Sequence, residues 1–211
     1  MQPRFISIEG IEGSGKSTLL HGLLAHLRAR GIDVEATREP GGTALGDRLR
    51  AAFVDPAVKL DPVAEALLLN ASRAQLVSEA IAPALGAGRW VLSDRFTTAT
   101  LAYQGYGRGV DLALLRELAA AATRGVEPEL VLLVDIPVEL SRRRVSARSS
   151  ATGVDADRLE REDVAFHERV RAGYLALAEA DPRIAVLDGT RPPDVLREAA
   201  WEALRARFAL V

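Results

Sequence analysis

Residues 10–17 read GIEGSGKS and decide the fold prediction, because they satisfy the pattern G-x-x-x-x-G-K-[ST] in full. The stretch follows a β-rich run at residues 4–9 and opens a helical pattern at residues 17–30, which is the context the pattern requires. Glycines let the chain curl so that backbone N–H groups face inward, and the following helix adds its N-terminal partial charge. The stretch therefore predicts a cradle for nucleotide phosphates.

Lysine is rare in this chain, which makes its position in the loop informative. Only Lys16 and Lys59 are lysines among the 27 basic residues. Lys16 is predicted to be a catalytic group that bridges the β- and γ-phosphates of ATP, and Ser17 is predicted to ligate Mg²⁺. The predicted phosphate-binding residues are Gly10, Ile11, Glu12, Gly13, Ser14, Gly15, Lys16, Ser17 and Thr18.

Strand-like and helix-like patterns alternate along the whole chain, and this alternation predicts an α/β fold. Residues 130–136 (LVLLVDI) form a continuous apolar run, as expected of a strand buried on both faces. We predict a P-loop NTPase fold, with a five-stranded parallel sheet covered by helices on both faces. Residues 1–211 are predicted to form a single domain.

One stretch of small and polar residues, at 146–156 (SARSSATGVDA), separates two predicted helices. The first of these is a basic helix over residues 138–147, and the second is a long amphipathic helix over residues 158–180. The composition is that of a mobile flap or of an ordinary surface loop. We predict a short lid over about residues 142–157.

Bulk composition excludes several classes of function. The net charge of −2 argues against a protein that binds nucleic acid or a membrane surface. The absence of cysteine excludes disulfides and thiolate metal sites, and is compatible with the reducing cytoplasm that we predict as the compartment. No uninterrupted apolar run approaches the length of about 18 residues that a membrane helix needs.

Two arginines are predicted to follow equivalent strand ends beside the cradle. Arg38 lies in residues 37–43 (TREPGGT), and Arg95 lies in residues 93–96 (SDRF). Loops at the carboxyl ends of parallel strands line the ligand crevice, so both guanidinium groups could hold an acceptor phosphate. Asp94 ends a predicted strand, where a carboxylate can orient Mg²⁺ through water.

The motifs GIEGSGKST, TREPGGT, SDRF and AYQGYGRG, in this order and spacing, resemble the thymidylate kinase family. The resemblance extends from Phe5 to about Arg191, and it implies transfer of a phosphoryl group from ATP to dTMP with Mg²⁺ in a homodimer. It also implies the residues that bind dTMP. They are Glu9, Arg38, Leu69, Arg73, Arg95, Thr100, Tyr103 and Gln104.

The resemblance assigns a role to most of these positions. Glu9 would lie near the sugar and the metal, so that the predicted metal site comprises Ser17, Asp94 and Glu9. Arg38 and Arg95 would bind the acceptor phosphate, with Arg95 also near the transferred group. The residues on the base and sugar are Arg73 for a thymine carbonyl, Thr100 for the pyrimidine N3, Tyr103 against the deoxyribose and Gln104 lining the pocket.

Leu69 departs from the family pattern, which usually has an aromatic ring four residues before the arginine matched by Arg73. An aliphatic side chain can pack on a pyrimidine, but it loses a stacking contribution of about 1–3 kcal/mol.

The lid resembles that of the bacterial subgroup, in which a lid arginine is catalytic. Glu12-Gly13-Ser14 in the loop has no arginine, and Arg148 lies at the matching lid position. The predicted contacts on the adenine side are Arg144, Thr190 and Arg191.

Two alternatives remain at this point. Another nucleoside monophosphate kinase would act on dUMP, UMP or CMP, and a P-loop regulatory protein would bind a nucleotide without an acceptor. A GTP switch should carry an N-K-x-D motif, and neither lysine of this chain stands in one.

Overall fold

The computed structural model describes residues 2–153 and 156–210, so Val154 and Asp155 of the predicted lid lie outside the described residues. Five strands form one parallel sheet in the order β2-β3-β1-β4-β5. The predicted P-loop fold with a five-stranded parallel sheet is therefore confirmed. The strands are β1 Phe5–Glu9, β2 Val34–Arg38, β3 Trp90–Asp94, β4 Leu130–Asp135 and β5 Ile184–Asp188.

Helices connect consecutive strands and cover both faces of the sheet. None of them, within the described part of the chain, is long and apolar enough to cross a membrane. They are α1 Lys16–Ala29, α2 Ala44–Val54, α3 Pro62–Leu76, α4 Ala82–Gly86, α5 Thr97–Thr100, α6 Leu112–Thr123, α7 Val138–Thr152, α8 Val164–Ala180 and α9 Pro193–Phe208. Two π-helical segments, Val77–Ile81 and Leu101–Gly107, continue α3 and α5.

Alternate residues of the strands belong to separate cores on the two faces of the sheet, as the period of a strand requires. Ile6 and Ile8 of β1 pack with α1 and α9 in one buried cluster. Leu133 of β4 packs with α8 in a second cluster. Phe5 packs with the end of α3 and with α4 in a third. The central strand β1 is fully buried between these layers, which fixes the loop that follows it.

Every strand ends on a charged residue, and all five strands run in the same direction, so these residues meet at one edge of the sheet. The last residues of the strands are Glu9, Arg38, Asp94, Asp135 and Asp188. This edge is where the candidate site lies.

The predicted end of the basic helix is wrong. The helix predicted over residues 138–147 continues to Thr152 as α7, so much of the stretch 146–156 is helical rather than a loop. Alanine and serine are tolerated in an exposed helix, and Gly153 ends it in the left-handed conformation with φ 67°.

The predicted start of the long helix is wrong as well. The helix predicted over residues 158–180 begins at Val164, because the side chain of Asp163 accepts a hydrogen bond from the backbone N–H of Phe166 at 2.7 Å and caps the helix there. Asp157 instead anchors a turn before the helix, accepting hydrogen bonds from two backbone N–H groups at 2.9 Å.

The glycines and aromatic residues of Leu101–Gly107 show no helical period, yet the segment is helical in the structure. It packs against α8, where a Cβ at Gly107 would lie 2.7 Å from the ring of Phe166. Glycine therefore permits the close approach that places Tyr103 and Gln104 under the site.

Candidate active site

The loop between β1 and α1 forms the predicted cradle. Gly10 has φ 139° and Gly15 has φ 103°, conformations that L side chains rarely adopt, so glycine is needed at both turns. The loop lines a cleft of about 1050 Å³. The ammonium group of Lys16 donates a hydrogen bond to the carbonyl oxygen of Ile11 at 2.9 Å, which holds it at the rim of the cradle. Burial, followed by the charge of Arg95, lowers the Lys16 pKa to about 8.

Two of the three predicted metal ligands lie together. The hydroxyl of Ser17 donates to a carboxylate oxygen of Asp94 at 3.2 Å, in the cleft beside the cradle. Among the described residues no group of three or more His, Asp or Glu side chains is placed to hold a metal by itself. A hard cation between Ser17 and Asp94 would therefore need phosphate oxygens and water to complete its ligands, which is the situation of Mg²⁺ on a nucleotide.

Glu9 is fully buried, and it lines neither the cleft nor the narrow cavity that adjoins it. One carboxylate oxygen accepts from the backbone N–H of Phe96 at 2.7 Å, and the other accepts from the Tyr174 hydroxyl at 3.0 Å. Burial raises the Glu9 pKa to about 7, against the opposing charges of Arg95 and Lys16. The carboxyl group therefore changes charge near neutral pH.

Arg95 is the centre of the site. Its backbone has φ 72°, an unusual conformation for a residue other than glycine, and it turns the side chain back over the sheet edge. The guanidinium donates to Glu12 at 2.5 Å and to the Tyr103 hydroxyl at 3.2 Å through Nη2, and to the Tyr174 hydroxyl at 3.0 Å through Nη1. Burial raises the pKa of Glu12, but the charges of Arg95 and Lys16 outweigh it and hold that pKa below its ordinary value. Arg95 and Glu12 therefore form a partly buried ion pair at the mouth of the cradle.

Arg38 lies in the same cleft as the cradle, and a third arginine accompanies it. The side chain of Arg38 is 59% exposed and pairs with Asp47 at 3.2 Å, so it can turn towards a ligand. Arg50 of α2 was missed by sequence reasoning; it lines the cleft and donates to the carbonyl oxygen of Pro40 at 3.1 Å. Burial lowers the Arg50 pKa, and the charges of Arg38 and Arg95 add to this shift. Repulsion among like charges would be relieved by an anion bound between them.

A second, narrow cavity opens from the cleft, and it brings together five of the residues predicted to bind dTMP. Those residues are Leu69, Arg73, Thr100, Tyr103 and Gln104. The two spaces share Glu12, Glu39, Pro40, Phe53, Arg95 and Leu159 along their walls. Arg95 therefore stands between the phosphate cradle and the narrower cavity.

Arg73 is almost completely buried and largely committed to the protein. It forms an ion pair with Glu39 at 2.8 Å and donates to the Thr100 hydroxyl at 2.9 Å. Nη1 of Arg73 carries two N–H groups, and one of them donates to Asn70 at 2.9 Å. Among the described residues Nη1 has no second acceptor, so its other N–H can donate to a ligand. Burial raises the Glu39 pKa, although Arg73 opposes the shift.

Gln104 has an unused acceptor. Its Nε2 donates to the buried carboxylate of Glu65 at 3.0 Å, which fixes the orientation of the amide. The amide oxygen Oε1 is buried and has no hydrogen-bond partner within residues 2–153 and 156–210. An unpaired buried acceptor is costly, so this oxygen marks a place for a ligand donor.

The lid arginines differ in their positions. Arg148 of α7 lines the cleft, is 52% exposed and pairs with Glu160 at 2.5 Å. Arg144 donates to the carbonyl oxygens of Gly13 and Gly189 at 3.2 Å, so it joins the cradle to the loop after β5.

The two remaining residues predicted on the adenine side follow β5. Thr190 is exposed, and its hydroxyl donates to Asp188 at 2.6 Å. Arg191 is also exposed, and it lines the cleft. The cleft thus extends from the cradle to this loop.

Sequence reasoning also missed Tyr174 and Phe53. Tyr174 lies on α8, far along the chain from the motifs, and only the packing of α8 brings its hydroxyl to Glu9 and Arg95. Phe53 reads as an ordinary apolar residue of α2, yet it lines both the cleft and the narrower cavity. Neither residue carries a signal that the sequence alone could have distinguished from core packing.

A phosphate cradle that opens through one arginine into a second cavity is what transfer between two nucleotides requires. Together with the parallel sheet, it places the chain among P-loop kinases of the nucleoside monophosphate kinase type.

Comparisons with known proteins give the particular family. A family model described as thymidylate kinase matches residues 8–200. The chain is 50% identical over 207 residues to a thymidylate kinase of Deinococcus radiodurans, covering 98% of both chains. It is 52% identical over 194 residues to that of Desulfovibrio desulfuricans, covering 90% of this chain and 89% of the relative. A crystal structure of thymidylate kinase from Ehrlichia chaffeensis matches with a TM-score of 0.78 and 29% identity, over 97% of this chain and 100% of that one. The chain belongs to the thymidylate kinase family.

Proposed function

We propose that this chain transfers the γ-phosphoryl group of ATP to dTMP, which gives dTDP and ADP. The observation that carries the proposal is the position of Arg95, which lines both the cradle cleft and the cavity that holds Arg73, Thr100 and Gln104. One guanidinium can therefore contact the phosphate of a nucleotide whose base lies in the narrower cavity. Family membership supports the same reaction.

In the proposed mechanism the backbone of residues 10–18 and Lys16 bind the ATP phosphates. Lys16 remains mostly charged at neutral pH, since its pKa is about 8. Arg95, Arg38 and Arg50 hold the acceptor phosphate in line with the γ-phosphate. That phosphate is already anionic, so the transfer needs no dedicated base.

Mg²⁺ would supply charge neutralisation of the β- and γ-phosphates, with Ser17 as a direct ligand and Asp94 acting through water. Their mutual distance of 3.2 Å in the cleft supports this assignment. The remaining predicted ligand, Glu9, would act from beneath the site by holding Tyr174 and the backbone of Phe96.

The lid would complete the site when both nucleotides are bound. Arg148 would leave Glu160 and stabilise the charge that spreads over the γ-phosphate oxygens in the transition state. Arg144, Thr190 and Arg191 would lie along the adenine side of the cleft, because Arg144 already bridges the cradle and the loop after β5.

The narrower cavity favours thymine or uracil over cytosine. A thymine N3–H can donate to Oε1 of Gln104 or to the Thr100 hydroxyl, whereas the N3 of cytosine is an acceptor. The free N–H of Arg73 can donate to a carbonyl oxygen of the base. Tyr103 would lie against the deoxyribose and leave no room for a 2′-hydroxyl, which disfavours UMP and CMP.

A steady-state assay of the purified chain with ATP and a series of monophosphates tests the proposal. We expect kcat/KM to be highest for dTMP, lower for dUMP, and far lower for UMP and CMP. Faster turnover of UMP or CMP than of dTMP would reject the assignment in favour of another nucleoside monophosphate kinase. Slow ATP hydrolysis that no monophosphate accelerates would favour a regulatory nucleotide-binding protein.

We propose further that the chain acts as a homodimer in the cytoplasm. Exposed apolar side chains on two helices that pack together support a helical interface. They are Val63 and Leu67 on α3, 39% and 50% exposed, and Leu114 on α6, 36% exposed. The compartment rests on the composition, which has no cysteine.

A further inference from the structure

Phe53 and Leu69 are buried apolar side chains on the wall of the narrower cavity. They are only 4% and 9% exposed, yet neither belongs to any of the three hydrophobic clusters formed by the described residues. Both line the narrower cavity. Their burial therefore serves the walls of this cavity rather than one of the cores.

The wall at Leu69 is aliphatic, so it gives a pyrimidine no aromatic face. Phe53 comes from a different element, α2, which packs against α3, and its ring lies where the cleft and the narrower cavity join. We propose that Phe53 of α2 supplies the aromatic contact to the base that Leu69 of α3 does not provide. The inference deepens the proposed function and rests on it, because it assumes a pyrimidine nucleotide in this cavity.

Arg158 holds Phe53 in place. Its Nε donates to the carbonyl oxygen of Phe53 at 2.8 Å, and its guanidinium carbon lies 4.9 Å from the centroid of the phenyl ring. Its backbone N–H also donates to the carbonyl oxygen of Val54 at 3.2 Å. A ring fixed at its backbone and covered on one face by a cation retains its other face for a ligand.

The same arginine connects Phe53 to the polar wall of the cavity. Arg158 pairs with the buried carboxylate of Glu65, which also accepts the hydrogen bond from Gln104. One carboxylate thus orients both the group that holds the ring and the amide that faces the base. The planar face and the hydrogen-bonding edge of a pyrimidine would be recognised by parts of a single network.

A substrate that keeps the polar edge of thymine but loses its planar ring tests the inference. In 5,6-dihydro-dTMP the N3–H and both carbonyl groups remain, while the ring is saturated and puckered. For the wild type we expect kcat/KM for dTMP to exceed that for 5,6-dihydro-dTMP by about fivefold or more. In Phe53→Leu this ratio should fall below about twofold, while KM for ATP stays within about twofold of the wild type.

Phe208→Leu is the matched control. Phe208 also packs beneath an arginine, with Arg4 at 4.7 Å from its ring centroid, but it borders neither cavity and packs against Trp90. Its substitution should leave the substrate ratio of the wild type unchanged. If Phe53→Leu lowers the yield of folded protein, Phe53→Met supplies a flexible side chain of similar size for the same measurement.

A Phe53 variant that folds and keeps the wild-type ratio of the two substrates would overturn the inference. This outcome differs from failure of the proposed function, in which the wild type itself would prefer UMP or CMP to dTMP. In that case the ratio of UMP to 5,6-dihydro-UMP, measured with the same variants, would still test Phe53.

Discussion

At the scale of single residues, the site depends on charges held out of water. Lys16, Glu9 and Arg95 lie close enough to influence one another, and burial is the largest cause of the shifts in the pKa of Lys16 and of Glu9. In a site of low dielectric, each of these charges interacts more strongly with phosphate than it would at the surface. Removing one of them should therefore affect catalysis more than it affects folding.

Replacement of Lys16 tests the cradle. Lys16→Met keeps the length of the side chain but removes its charge, so the β- and γ-phosphates lose a contact that strengthens in the transition state. We expect kcat to fall by about 100-fold or more. Lys59→Met, at an exposed position outside both cavities, is the control and should leave kcat unchanged. An equal effect of the two substitutions would contradict the role of Lys16.

The raised pKa of Glu9 predicts that the stability of the fold depends on pH. Its pKa is about 7 in the folded chain and 4.5 in the reference state, so between these values the folded chain retains a proton that the unfolded chain has lost. The favourable contribution of this proton is complete below pH 4.5 and is lost as the pH rises to 7. The free energy of unfolding of the wild type, relative to Glu9→Gln, should fall by up to about 3 kcal/mol over this interval and stay level above it. Denaturant titrations of both proteins at several pH values measure the difference, and parallel curves would refute the shift.

At the scale of elements, α7 combines two tasks that the sequence suggested separately. Its N-terminal part packs against the cradle, where the Ser141 hydroxyl donates to the carbonyl oxygen of Glu12 at 2.6 Å. Its C-terminal part carries Arg148 to the mouth of the cleft. One continuous helix therefore connects the phosphate loop to the mouth of the cleft, so a movement of the proposed lid can reach the loop.

The lid prediction concerns Arg148. Because Arg148 is half exposed and its guanidinium, within the part of the chain that the structure describes, pairs only with Glu160, Arg148→Ala should leave the melting temperature within about 2 °C of the wild type. The same substitution should lower kcat on the order of 1000-fold, since it removes a cation from the transition state. Arg143→Ala, on an exposed face of the same helix, is the control. A kcat for Arg148→Ala close to that of Arg143→Ala would show that the lid arginine is not catalytic.

At the scale of the whole molecule, the sheet directs every strand end towards one edge, and the opposite faces of the sheet are closed by helices. The exposed apolar side chains of α3 and α6 are Val63, Leu67 and Leu114. They line neither the cleft nor the narrower cavity. A substitution there should act on assembly rather than on the chemistry of one subunit.

The proposed homodimer can be tested at Leu67. Leu67→Glu places a charge on the exposed α3 surface, so the dimer should dissociate while each subunit stays folded. Sedimentation velocity should show a dimer for the wild type and a monomer for the variant. Leu45→Glu, on α2 at 45% exposure, is the control. A wild type that sediments as a monomer would contradict the proposal.

The sequence by itself determined the sheet, the cradle and the identity of the family. The loop motif at residues 10–17 and the alternation of strand-like and helix-like segments both depend on local chain geometry. Such features appear in the sequence as residue types at fixed spacings. Five of the residues predicted to bind dTMP also lie along one cavity, because Leu69 and Arg73 share α3 while Thr100, Tyr103 and Gln104 follow the end of β3. Helix ends were less predictable from the sequence. Both Asp157 and Asp163 are suitable N-terminal caps for α8, and only the packing of the chain selects Asp163.

Only the tertiary structure decided which distant groups meet. Tyr174 reaches Glu9 from 165 residues away along the chain, and Arg158 reaches Phe53 across 105 residues. Such contacts depend on how helices pack over the sheet, and an apolar residue of a helix has the same pattern whether it faces a core or a ligand. Local sequence therefore decides the geometry of the loop at residues 10–17, whereas packing decides which side chains line the narrower cavity.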